Sequence, residues 1–205
     1  MKKFAISGIN AKQSRSEWLA LRKNFLTATD WPKIMGSSRW GNVSDVIADK
    51  LYLQNEGVFE PSLPMRVGTA LEPLIIQTVK EEWGRGNYLS QVFISRKCMG
   101  FTPDLILLEQ CSDWVLAEIK VSIKDWGGWV PEEYLDQVRF QATVLGLDEV
   151  QVIHLNLQTW AEGFQMIRGR SVPTDRLVAY RVKVPERERR QVERDAERWW
   201  REHIG

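Results

Sequence analysis

The stretch FTPDLILLEQCSDWVLAEIK, residues 101 to 120, constrains the fold of this chain more than any other. Two apolar runs on either side of a polar segment read as successive β-strands. The first opens on Pro103-Asp104 and the second closes on Glu118-Ile119-Lys120, with thirteen residues between the two acids. An acid on one strand and an acid-x-Lys on the next is the layout of a metal-dependent nuclease site. Two carboxylates hold Mg²⁺ against a phosphodiester, and the lysine orients or deprotonates a water. Residues two apart in a strand share a face, so Glu118 and Lys120 project together. Ile119 then points into the core and leaves its carbonyl oxygen to a metal. The same letters also fit an ordinary hairpin with solvated charges at its ends, and so short a pattern arises often by chance. The rest of the chain has to decide.

At 205 residues, 43% hydrophobic and 27% charged, the expectation is a single globular domain over residues 1–205 with a full-sized core. No apolar run approaches the roughly eighteen residues that span a bilayer, so no membrane role is expected. The N-terminal MKKFAISGINAKQ lacks the apolar stretch and cleavage site of a secretory signal. Cys98 and Cys111 form no CxxC pair, which speaks against structural zinc and fits a reduced cytoplasm. A net charge of +1 disfavours a non-specific DNA coat protein, but leaves room for an enzyme with a local basic surface around an acidic site. Most of the ten tryptophans are expected as core or interface anchors.

Short helices are expected over SRSEWLALRKN, burying Trp18, Leu19 and Leu21, and over TDWPKIMG, ended by Gly36. Helical spacing runs from Val43 to Asn55 with Val46, Ile47, Leu51 and Tyr52 on one face, and a loop covers 56–64. The longest helix spans Met65 to Trp83, with Val67, Leu71, Leu74, Ile75 and Val79 inward. Strands are expected at Tyr88–Ser95, Gly100–Leu108 and Trp114–Val121, then a helix at Glu132–Leu145 stopped by Gly146. A strong strand at Val150–Leu157, weaker ones at Phe164–Arg168 and Val178–Val184, and a charged final helix to about His203 complete the chain. This order predicts an α/β fold, a mixed sheet flanked by helices.

Glu72 lies on the helix before the strands and Gln137 on the helix after them. The order Glu72, Asp104, Glu118, Lys120, Gln137 resembles the PD-(D/E)xK nuclease superfamily, with its restriction-endonuclease-like core. In particular it resembles the phage lambda exonuclease and YqaJ-type viral recombinase family of alkaline exonucleases. The likeness rests on WLALRKNFLTATD, RVGTALEP, FTPD, AEIK and YLDQV in that order, from about Trp18 to Asn156, with the nuclease core over about 65–157.

That resemblance implies a metal site of Asp104, Glu118 and the Ile119 carbonyl, with Glu72 as a further acid acting directly or through water. Two Mg²⁺ ions are implied, sharing Asp104, and Mn²⁺ as a substitute. Lys120 would position and activate water, and Gln137 would help hold water or phosphate. Read alone, Glu72 and Gln137 are equally solvated helix residues, and a lone lysine is usually solvated. The family's 5′-phosphate pocket falls on Arg22, Thr29 and Thr102. Arg22 offers a fork suited to phosphate, and Thr29 could instead be an N-cap. Thr102 replaces the family's serine. A further basic position falls on Trp126, so only Lys124 nearby stands in for it. Met65 matches an apolar wedge between DNA strands, or is simply a helix-start residue. The implied activity is 5′-to-3′ digestion of linear double-stranded DNA to mononucleotides, leaving 3′ tails for recombination by strand annealing. The implied partners are DNA, a single-strand annealing protein and two further copies in a homotrimeric ring, in a bacterial cytoplasm with a phage or prophage gene. The alternatives are a PD-(D/E)xK endonuclease or a non-catalytic DNA-binding or partner-docking module. His154 and His203 are expected to be structural.

Overall fold

The structure is a computed structural model that describes residues 4–10, 14–51, 60–84, 86–108 and 114–205. Tyr52, residues 56–59 of the expected loop, the first three residues and Cys111 lie outside the described residues. In chain order the elements begin β1 (Ala5–Asn10), α1 (Arg15–Lys23), β2 (Leu26–Thr27), α2 (Trp31–Met35), α3 (Val43–Leu51) and α4 (Leu63–Trp83). Then come β3 (Asn87–Leu89), β4 (Val92–Arg96), β5 (Met99–Phe101), β6 (Leu105–Leu108) and β7 (Trp114–Ser122). The chain ends with α5 (Glu132–Leu145), β8 (Glu149–Asn156), α6 (Trp160–Gly169), β9 (Leu177–Lys183) and α7 (Glu186–His203).

A mixed five-stranded sheet, ordered β3-β6-β7-β8-β9, forms the centre, and only β7 and β8 run parallel within it. Alternation along β7 sends its residues to two cores. Leu116 joins the core beneath α5 and α7, with Val138, Phe140, Val192 and Trp199. Ala117 and Ile119 join the core beneath α4 and α6, with Val67, Leu71 and Ile75. A second sheet, ordered β1-β4-β5-β2, stands against α5.

Two expected strands are each broken in two, and the halves join different sheets. Tyr88–Ser95 divides at Gln91, whose φ of 59° turns the backbone left-handed, giving β3 to the central sheet and β4 to the other. Gly100–Leu108 divides at Pro103-Asp104, where proline cannot donate to a ladder. The breaks are joined: the Gln91 amide donates to the Pro103 carbonyl at 3.1 Å. Apolar residues flank both breaks, so each segment reads as one strand in the sequence.

Other expectations are corrected. The segment Phe164–Arg168 is helical, within α6. Thr159 caps that helix, its hydroxyl accepting from the Glu162 amide at 3.3 Å. Gly163 lets it press onto α4, since a Cβ there would meet Val67 at 2.7 Å. Helix α1 forms as expected but buries no residue fully, and Leu19 is 43% exposed. Strands β1 and β2 were not anticipated, and α4 begins at Leu63 with Pro64 in its first turn. Gly36 and Gly146 end α2 and α5 in the left-handed conformation, as expected. Among the described residues no helix is long and apolar enough to cross a membrane.

Candidate active site

The ladder between β6 and β7 ends at the pair Leu105–Ala117. Asp104 and Glu118 occupy the next register, opposite each other where the strands part. Like charges at opposed positions repel, and burial sharpens the effect. Burial, then the charges of Glu118 and Glu72, push the Asp104 carboxyl well above its usual range. Lys120 and the Ile119 amide, which donates to Asp104 Oδ2 at 2.7 Å, offset this only in part.

Glu118 is buried, and α5 supplies its donors. Gln137 and Gln141, one helical turn apart, share the face turned to β7. Gln137 Nε2 donates to Glu118 Oε1 and Gln141 Nε2 to Oε2, each at 2.6 Å. Lys120 Nζ donates to Glu118 Oε1 at 2.6 Å and to Gln137 Oε1 at 3.0 Å, and lies 4.9 Å from the Tyr134 ring centroid. Burial alone would lower the ammonium's pKa, but Glu118 and Asp104 outweigh it and hold it above its usual value. The buried Gln141 Oε1 has no hydrogen-bond partner among the described residues. Glu72 arrives from α4, on the other side of the sheet, and its Oε1 accepts from Gln91 Nε2 at 2.8 Å.

A second cluster lies beside these acids. Arg22, at the end of α1, donates to Thr29 Oγ1 at 2.9 Å and to Thr27 Oγ1 at 3.4 Å, and stacks over Trp18 at 4.5 Å. Trp18 Nε1 donates to Thr102 Oγ1 at 2.9 Å. Among the described residues no carboxylate lies within ion-pair distance of Arg22. Burial lowers its pKa, against the pull of Asp30 and Asp49. Beneath the cluster Lys50 Nζ, on a side chain only 1% exposed, pairs with Asp30 Oδ2 at 2.8 Å and donates to the Arg22 carbonyl at 3.3 Å. Asp30 in turn accepts from the Thr27 hydroxyl at 2.6 Å and its amide at 2.9 Å. Burial would raise the Asp30 carboxyl, yet Lys50 and Thr27 together hold it below its usual range. Thr29 is not an N-cap: Asp30 holds that position in α2, and the Thr29 hydroxyl faces Arg22.

Glu72, Asp104, Glu118, Lys120 and Gln137 line one cavity of about 250 Å³ together with Arg22, Thr29 and Thr102. Lys124 and Met65 are not among its lining residues. Lys124 is on an exposed loop, and Met65 is exposed in the first turn of α4. Trp126 is buried, stacked on His154 at 3.7 Å between centroids. Among the lining residues that sequence reasoning did not assign to the site are Trp18, Thr27, Gln91 and Gln141. Gln141 could have been found one turn beyond Gln137, and Thr27 two residues before Thr29. Nothing in the sequence marks Gln91.

Asp104, Glu118 and the Ile119 carbonyl are hard oxygen donors of the kind Mg²⁺ prefers. Among the described residues no three acidic, histidine or cysteine side chains form a ready-made metal cage. The repulsion at Asp104 is what a cation would relieve.

The family model of the YqaJ-like viral recombinase domain matches residues 17–148, a span holding every lining residue of the cavity. The chain belongs to this family. No curated protein matches it by sequence. The alkaline exonuclease (LHK-Exo) from Laribacter hongkongensis shares its fold, with a TM-score of 0.65 at 18% identity over 91% of each chain. The same enzyme in complex with dAMP matches equally well. A phage-related exonuclease from Haemophilus somnus 129PT matches with a TM-score of 0.54 at 13% identity, over 88% of this chain and 93% of that one. The mixed sheet between helices is thus the PD-(D/E)xK-like fold of these exonucleases.

Proposed function

We propose that this YqaJ-family chain is a Mg²⁺-dependent exonuclease. It digests the 5′-ended strand of linear double-stranded DNA to mononucleotides and leaves 3′ single-stranded tails for strand annealing. The observation that carries this reading is the one cavity that joins an acid–lysine cluster to a half-buried arginine among hydroxyls. The first is equipped to hydrolyse a phosphodiester and the second to hold a terminal phosphate next to it. The fold shared with alkaline exonucleases, one of them in complex with dAMP, supports the same reading.

Asp104, Glu118 and the Ile119 carbonyl would hold Mg²⁺, with Glu72 as a further acid, and a second ion would share Asp104. Bound there, the metal supplies charge stabilisation at the phosphate and a more acidic water. Arg22 binds the 5′-phosphate with its guanidinium, and the Thr29 and Thr102 hydroxyls donate to its oxygens. Gln137 and Glu118 fix the Lys120 ammonium. Once the neighbouring carboxylates are neutralised, Lys120 loses the charges that sustain its proton, and burial favours the amine. That amine accepts the water's proton as the water attacks phosphorus and the P–O3′ bond breaks. The departing nucleotide leaves with a 3′-hydroxyl. The next nucleotide now carries a 5′-phosphate, which refills the Arg22 pocket. A homotrimeric ring in a bacterial cytoplasm, working with a single-strand annealing protein, completes the proposal.

The deciding experiment is digestion with Mg²⁺ of linear duplexes bearing 5′-phosphate or 5′-hydroxyl ends, with closed circular DNA alongside. Loss of the 5′-phosphorylated strand as mononucleotides, with circles intact, is expected. Nicked circles would make the chain an endonuclease, and no cleavage of either substrate would make it a binding module.

A further inference from the structure

Among the described residues three non-glycines adopt the left-handed conformation: Gln91, Lys97 and Arg170. Lys97 sits in the tight turn between β4 and β5, and Arg170 caps α6. Both are ordinary places for such a backbone. Gln91 stands instead at the point where one run of chain leaves the central sheet for the other, and it lines the cavity. Its conformation strains an L-residue and would not strain glycine. In return the turn aims the Gln91 amide at Glu72 Oε1, 2.8 Å away, while its backbone N–H donates to the Pro103 carbonyl, one residue before Asp104. One residue therefore bonds to one acid and to the turn that carries another.

We propose that Gln91 is a positioning residue that sets the orientation of Glu72 relative to Asp104 at the acid cluster. This rests on the reading of the cavity as a nuclease site. Glu72 comes from α4 and Asp104 from the start of β6, and neither element fixes the other's side chain. Gln91 touches both the acid and the turn. Its amide donor on one carboxylate oxygen leaves the other presented in a defined direction.

The test is Gln91→Gly. Relief of the left-handed strain offsets the lost hydrogen bond, so the variant is expected to melt within a few degrees of the parent. Its kcat on 5′-phosphorylated duplex is expected to fall roughly ten- to a hundredfold, with KM for DNA little changed. Independently of activity, the rise in Tm on adding Mn²⁺ is expected to shrink, because the affinity of the acids is reduced. Gln91→Asn, which tolerates the same turn but has a shorter side chain, is expected to show the same losses. Arg170→Gly, at a left-handed position outside the cavity, is expected to change neither readout. Parental kcat and a parental Mn²⁺ shift in both Gln91 variants would overturn the proposal. If the parent itself cuts no DNA, the nuclease reading fails first, and the Mn²⁺ shift alone then decides the role of Gln91.

Discussion

At the acid end of the cavity, Glu118 and Lys120 ride on β7, the middle strand of the central sheet, and Gln137 and Gln141 on α5, the most deeply buried helix. At the hydroxyl end, Arg22 closes the short α1, Thr27 ends a two-residue strand, and Thr29 and Thr102 lie on irregular backbone. The acid end inherits its geometry from two cores, each anchored by regular elements. The hydroxyl end is held by side chains that grip one another, with the buried Lys50–Asp30 pair beneath them. On the proposed reading, chemistry that needs fixed charges would sit on the half built from long regular elements, and recognition of a chain end on the half assembled from short pieces. Changes at the acid end should therefore act on rate and on global stability. Changes at the hydroxyl end should act on substrate choice.

The largest expected effect is Lys120→Ala. Removing the cationic group that donates to Glu118 should lower kcat by roughly a thousandfold, with DNA binding retained. Single-turnover digestion of a 5′-phosphorylated duplex measures it. A loss below tenfold would mean that the acid end is not where the chemistry occurs.

Next in size is a pH effect confined to the sheet. His154 on β8 lies opposite Lys120 in register, buried against Trp126. The Ser122 hydroxyl donates to the Lys124 carbonyl at 2.9 Å, so its oxygen accepts from His154 Nε2 at 2.9 Å and the ring is the neutral Nε2–H tautomer. Burial pushes its pKa down to about 4, against the small pull of Asp125. The unfolded chain takes up a proton first as pH falls below about 6.5, so the stability His154 contributes is lost between there and about pH 4. The loss approaches about 3 kcal/mol. Asp104 works in the opposite sense, because its raised pKa lets the folded state bind the proton first. Urea titrations of the parent and of His154→Phe across this range separate the two. The variant should lose the downward slope.

How much of each half was legible follows from the same contrast. The charged pair of β7 declares itself through spacing, Glu118 and Lys120 two apart, and α5 shows as a helix ended by Gly146, while the role of Gln137 on it came from resemblance. The central sheet and its flanking helices follow from hydrophobic periodicity. The breaks at Gln91 and Pro103 do not, since apolar residues flank each of them, and so β3 with β4 and β5 with β6 were each expected as one strand. Arg22, Thr29 and Thr102 were picked out by resemblance, because nothing in their spacing brings them together. Only the fold does, through Trp18 and Thr27. The exposure of Leu19 has the same origin. Its helix was expected to pack by burying an apolar face, and it is held instead by polar contacts around Trp18 and Arg22.

At the hydroxyl end, Arg22→Ala should remove charge-assisted hydrogen bonding to the terminal phosphate worth about 2 kcal/mol in all. That corresponds to roughly a thirtyfold fall in kcat/KM on 5′-phosphorylated ends, with 5′-hydroxyl ends little affected. Steady-state digestion of the two substrates side by side gives the ratio. An equal fall on both would move Arg22 from end recognition to general DNA binding.

The smallest effect sharpens the comparison most. Leu19 is apolar and lies on α1 between Trp18 and Arg22, so an amphipathic reading of the sequence makes it a core residue whose truncation to alanine would cost about 2–5 kcal/mol. With its side chain turned to solvent, Leu19→Ala should instead stay within about 0.5 kcal/mol of the parent, as surface substitutions do. A chemical-denaturation midpoint decides between the two. A small shift means that α1 is retained by its contacts with the cavity, so that the hydroxyl end is as loosely tied to the cores as its short elements suggest. A shift of several kcal/mol would mean that a further surface covers Leu19 in solution, and the hydroxyl end would then be as firmly anchored as the acid end.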